Sequence, residues 1–87
     1  MHAVVVKVTL KDVEAATRLL NEQVVPRASG APGFVAGYWT RKDNTGLSML
    51  IFESEDAARG ASDQIESPDP DAVTLDDVEI REVVANA

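Results

Sequence analysis

The chain contains no cysteine, which excludes disulfide bracing and thiolate metal sites. It has a single histidine, His2, so any Ser/His/Asp set or histidine-ligated metal would hang on that one residue. Aromatic residues number four: two Phe, one Tyr and one Trp. Positive charge is also scarce, with eight Lys and Arg against fifteen Asp and Glu and a net charge of −7. That sign repels phosphate backbones and anionic headgroups, so nucleic acid and membrane surfaces are not expected partners. The charge serves solubility instead. No apolar run approaches the ~20 residues of a bilayer span. Residues 1–7 have neither a basic leader nor a long enough apolar stretch for a secretion signal, which makes the cytoplasm the expected location. There is no glycine-rich phosphate loop. Asp69, Asp71, Asp76 and Asp77 lack the spacing of a calcium loop, and no metal or cofactor is expected.

What is present is a regular alternation of elements. Eighty-seven residues make one domain, 1–87, with a small core for which oligomerisation is the remaining common reinforcement. Residues 3–9 are valine-rich and read as a strand, with Val4, Val6 and Val8 on one face. Residues 12–25 read as a helix, because Val13, Ala16, Leu20 and Val24 recur at helical spacing and Asp12 suits the N-terminus. Pro26 is expected to stop it, and residues 27–32 to form a loop. Residues 33–41 and 47–52 read as a hairpin around the turn at residues 42–46. A tip at Asn44 and Thr45 would set Trp39 opposite Leu50 and Tyr38 opposite Ile51. Ser54 is an N-cap for a second helix with the stripe Ala57, Ala58, Ala61 and Ile65. Residues 75–84 make a last strand.

This βαββαβ order predicts an α+β, ferredoxin-like fold: a four-stranded antiparallel sheet in order 4-1-3-2 with two helices on one face. The more uniformly apolar face is expected beneath the helices: Val4, Val6, Val8, Phe34, Ala36, Leu47, Met49, Ile51, Val78 and Ile80. The other face then carries Val5, Val35, Trp39, Leu50, Phe52 and Val83, with Lys7, Arg41, Glu79 and Arg81. So much apolar area on a bare sheet predicts a homodimer packed sheet to sheet.

Pro32-Gly33-Phe34, followed by Phe52-Glu53-Ser54-Glu55-Asp56-Ala57-Ala58 at the second helix start, resembles the dimeric α+β barrel superfamily. The likeness is greatest to its antibiotic-biosynthesis-monooxygenase-like branch. The resemblance covers nearly the whole chain as a pattern and implies a sheet-to-sheet dimer with a substrate cavity between sheet and helices. It also implies functions ranging over cofactor-independent oxygenases, haem-degrading enzymes and isomerases. The haem-degrading pattern, an Asn in the first strand and a His in the second helix, is missing here.

On this reading Tyr38, Phe34, Thr40 and Met49 form an apolar, hydroxyl-bearing ligand site on the helix side. Val5, Val35, Trp39, Leu50, Phe52 and Arg81 form the dimer interface, with Trp39 as its anchor. His2 is expected to be solvated. The expected role is binding of a small hydrophobic or aromatic molecule between sheet and helices, with cofactor-independent monooxygenase-like or isomerase-like chemistry as one form of it. The alternative is a non-catalytic dimeric binding or scaffold module, and the residues leave open whether the protein is an enzyme.

Overall fold

The computed structural model describes Met1–Ala87. Strand β1 (His2–Leu10) leads into α1 (Val13–Leu19), a π turn (Leu20–Val24) and α2 (Val25–Ser29). Strands β2 (Phe34–Lys42) and β3 (Thr45–Phe52) form a hairpin, followed by α3 (Glu55–Ser62) and β4 (Val73–Glu82). The sheet is antiparallel in the order β2-β3-β1-β4, which is the expected order and a roughly ferredoxin-like α+β arrangement. Both helix starts are capped as their sequences suggest. Asp12 accepts from the Ala15 N–H at 3.1 Å, and Ser54 accepts from the Ala57 N–H at 3.1 Å.

Pro26 does not stop the first helical run, which continues to Ser29. The turn before it is widened to the π register, with the Val25 N–H donating to the Leu20 carbonyl. A proline ring clashes with the carbonyl four residues back in a regular helix, and the wider turn absorbs that conflict. The expected loop after Pro26 shrinks to residues 30–33.

The hairpin differs from expectation in register and in face. Its tip is Asp43-Asn44, since Lys42 pairs with Thr45, and Asp43 takes the positive φ of 53°. Asp tolerates that conformation, which frees Thr45 to pair both Lys42 and Thr9. Tyr38 therefore faces Met49, and Trp39 faces Ser48. More consequential is the pairing of β3 with β1, where Val4 lies opposite Leu50 and Val5 opposite Met49. Directly opposite residues share a face. Leu50, Phe52 and Trp39 thus join Val4, Val6 and Val8 beneath the helices, the reverse of the expected assignment. Tyr38, Thr40, Leu47, Met49 and Ile51 go with Val5 to the outer face. Phe34 alone among the even-numbered residues of early β2 faces the helices, because a bulge between Phe34 and Ala36 resets the alternation. Its ring meets Phe52 edge to face at 5.9 Å. Val84 and Val83 fall past the end of β4, and Val84 is exposed.

The core has two parts. Val4, Val6, Leu50 and Phe52 pack with Ala58 of α3, while Ala72 and Val73 pack with Ala16 of α1, with Val8 touching both groups. The Pro-Gly-Phe turn holds α3 close: Gly33 has φ 78°, and a Cβ there would lie 2.7 Å from the Ala57 Cβ. Its carbonyl accepts from the Glu53 N–H at 2.8 Å. Gly60, in contrast, has open space around it. Gly33→Ala is expected to cost ~1–3 kcal/mol through positive φ and steric contact. Gly60→Ala is expected to stabilise by about 0.4–1 kcal/mol through lower unfolded-chain entropy. Urea unfolding of the two variants checks both signs.

Candidate functional site

Rows of opposite residues across the sheet define the floor of a cavity. One row on the helix side is Arg41, Gly46, Val8 and Leu75, and the next is Trp39, Ser48, Val6 and Val78. α3 covers the far end of the sheet, over Val4, Leu50 and Phe52. Over the first two rows the roof is α1 and the π turn, through Ala16, Thr17, Leu20 and Val24. Residues 65–68 close one side. The space between floor and roof is about 200 Å³ and is partly open to solvent. A wider cleft of about 570 Å³ between residues 23–32 and α3 shares Val24, Leu50 and residues 65–68 with it, so the two spaces adjoin.

Two glycines shape the floor. A Cβ on Gly46 would sit 2.6 Å from Val8 Cγ2, so Gly46 lets the Val8 side chain lie over β3. A Cβ on Gly37 would meet the Trp39 ring at 2.7 Å and Phe34 at 3.1 Å. The indole therefore lies along the strand over Gly37. The roof owes its shape to the π turn, since Leu20 and Val24 both lie in it and both reach the cavity. Single π turns inside helices recur at functional sites.

Most hydroxyls around the cavity are engaged by the chain itself. Thr17 donates to the Val13 carbonyl at 2.8 Å and Ser67 to the Val73 carbonyl at 2.7 Å, while the Thr40 hydroxyl, on the outer face, donates to the Leu47 carbonyl at 2.6 Å. Ser48 stands on the floor opposite Trp39. The charged side chains on the lining are Arg41 and Glu66. Arg41 donates from Nη1 to the Asp43 carbonyl at 2.9 Å.

Of the four residues expected to hold a ligand, only Thr40 borders this cavity, and its side chain belongs to the outer face with Leu47. Tyr38 and Met49 lie opposite each other on the outer face, with Tyr38 64 % exposed, and Phe34 is packed against Phe52. Of the six expected at an interface, Trp39 and Leu50 line the cavity and Phe52 is fully buried beneath α3. Val5 and Arg81 are on the outer face, and Val35 is exposed at the bulge. Arg41, Ser48, Leu20 and Glu66 were not anticipated as cavity residues. A signal for Trp39 was present in Gly37, since a glycine two residues away on a strand leaves same-face room for a large ring.

His2 is partly covered rather than solvated. Its Nε2 is 3.8 Å from the Glu55 carboxylate, and its Nδ1 is buried without a partner. The Arg59 side chain bonds Glu55 and holds its carboxyl below the usual range, and Arg81 does the same for Glu79 on the outer face. Such contributions persist above the ordinary carboxylate range and fade as pH falls through the lowered values. No three His, Asp or Glu side chains converge as a metal site, and no helix is long and apolar enough to cross a membrane. No protein-family model, curated protein or solved structure matches the chain.

Leu50→Ala is expected to cost ~2–5 kcal/mol in chemical unfolding and to shift Trp39 emission, because Leu50 and Trp39 line the same space. Tyr38→Phe, on the other face, is expected to leave that emission unchanged. The reverse pattern would contradict the face assignment.

Proposed function

We propose that this protein is a small-molecule binding module that holds a hydrophobic ligand between the sheet and α1. The observation that supports this reading is the cavity of about 200 Å³ with Trp39 on its floor and the π turn in its roof. The space is partly open to solvent and mostly apolar in its lining, so a hydrophobic ligand that fills it takes that lining out of water.

The module works as a homodimer through the outer sheet face, in the manner of the dimeric α+β barrels that its Pro-Gly-Phe turn and Phe52–Ala58 junction resemble. Tyr38, Leu47, Met49 and Val35 are exposed there, with Val5 and the Glu79–Arg81 ion pair beside them. The accessible surface is 5690 Å² for 9.3 kDa, against roughly 5000 Å² for a typical folded monomer of that mass.

Monooxygenase-like or isomerase-like chemistry is the second reading. Glu66 favours it, as the cavity's one carboxylate and so the one group there suited to take a proton from a bound substrate. Turnover of an aromatic hydroquinone that disappears in Glu66→Gln while ligand binding persists would carry that reading.

Trp39 is the only tryptophan, so its emission reports the cavity directly. Titration with 3-phenylpropanol is expected to give a saturable change, and native mass spectrometry of protein drawn from cell extract is expected to show a small bound mass. A linear, unsaturable response with the fold intact would remove the binding reading. Light scattering at micromolar concentration is expected to give twice the chain mass. Met49→Glu sets like charges against each other across a two-fold interface and is expected to halve it. A wild-type mass of one chain would refute the dimer.

A further inference from the structure

The cavity is not uniformly apolar. Its floor carries one cation, Arg41, in the row next to Trp39 and Ser48. The ion pairs of the chain are His2–Glu55, Arg59–Glu55 and Arg81–Glu79. Arg41, like Lys7, Lys11, Arg18, Arg27 and Lys42, has no carboxylate partner, and it is the one of these that lines the cavity. A guanidinium has five N–H donors, and Arg41 uses its Nη1 on the Asp43 carbonyl of its own hairpin turn. With the Thr17 and Ser67 hydroxyls engaged by backbone carbonyls, the side-chain donors left to a ligand are the Arg41 guanidinium, the Trp39 indole N–H and the Ser48 hydroxyl. Glu66, the one lining carboxylate, stands on the wall formed after α3, where the cavity adjoins the wider cleft.

We propose that the ligand is a hydrophobic monocarboxylate, its apolar body lying over Trp39 and under Leu20 and its carboxylate at Arg41. The inference rests on the cavity being a small-molecule site. A carboxylate matches the planar fork of an arginine and accepts charge-assisted hydrogen bonds from it. Ser48, opposite Trp39, supplies a further neutral donor. Glu66 repels the same head group and so sets the ligand's direction, apolar end toward residues 65–68. A single positive charge within a chain of net charge −7 suits a monoanion better than a phosphate dianion, which the surrounding field opposes twice over.

The overall charge makes the test sharp, because without Arg41 the field of the protein disfavours any anion. Trp39 emission is titrated with 3-phenylpropanoate and with 3-phenylpropanamide, which share shape and differ in charge. The acid is expected to bind roughly three- to tenfold more tightly than the amide, the range of a partly exposed charge-assisted contact. In Arg41→Gln the order is expected to invert, while Arg41→Lys keeps a reduced preference for the acid. Equal binding of acid and amide by the wild type would overturn the carboxylate inference and leave the binding module standing. An acid preference that survives Arg41→Gln would overturn the role of Arg41. If neither compound binds, the binding reading and the inference fall together.

Discussion

The structure depends on the pairing of β1 with β3, in which Val4 stands opposite Leu50 and His2 opposite Phe52. Opposite residues share a face, and a slip of one residue would exchange the two faces of the whole hairpin. This one register decides that Phe52, with no exposed surface, is the floor beneath Ala58, and that Tyr38 stands in solvent. It decides too that Trp39 and Arg41 look toward α1 rather than away from it. The cavity, the outer apolar face and the placement of charge all follow from it.

The same register was the feature hardest to read in the sequence. Alternation within each strand was plain, and so were the element order, the capping by Asp12 and Ser54, and the order of strands. Both faces of β3 are apolar, however: Leu47, Met49 and Ile51 on one side, Leu50 and Phe52 on the other. Hydrophobic pattern therefore fixed parity inside the hairpin but not between the hairpin and β1. The glycines carried the missing signal. Gly37 and Gly46 belong to the face where bulky neighbours, Trp39 and Val8, need the room. Glycines scattered along the outer face would have no such steric reason. The bulge after Phe34 was hidden for a related reason, since a single inserted residue changes face without changing composition.

Pro26 shows local chemistry yielding to tertiary context. A proline after a helical run normally ends it, yet here a π turn precedes it and the chain continues to Ser29. The added width turns Leu20 and Val24 toward the sheet. The residue that seemed to mark an end accordingly accompanies the distortion that shapes the cavity roof. The candidate site was legible as a location, between sheet and helices, but not as a set of residues, because its composition depends on the β1–β3 register and on this distortion.

The roof is fixed at its ends more than along its length. At one end the Lys11 and Asp12 N–H groups both donate to the Ala72 carbonyl, at 2.8 and 3.2 Å, and Ala16 packs on Val73 in the smaller core group. At the other, the Pro-Gly-Phe turn ties the end of α2 to β3 through the bond from the Glu53 N–H to the Gly33 carbonyl. Between these attachments the π turn contributes no buried residue and its start has no side-chain cap. A helix packed continuously on the sheet would settle until its side chains filled the space, since dispersion and apolar burial both favour close contact. One clamped at both ends has its height set by the clamps. The space beneath Leu20 and Val24 then needs no ligand to hold it open, and the ligand proposed for it would gain contacts without having to open the fold.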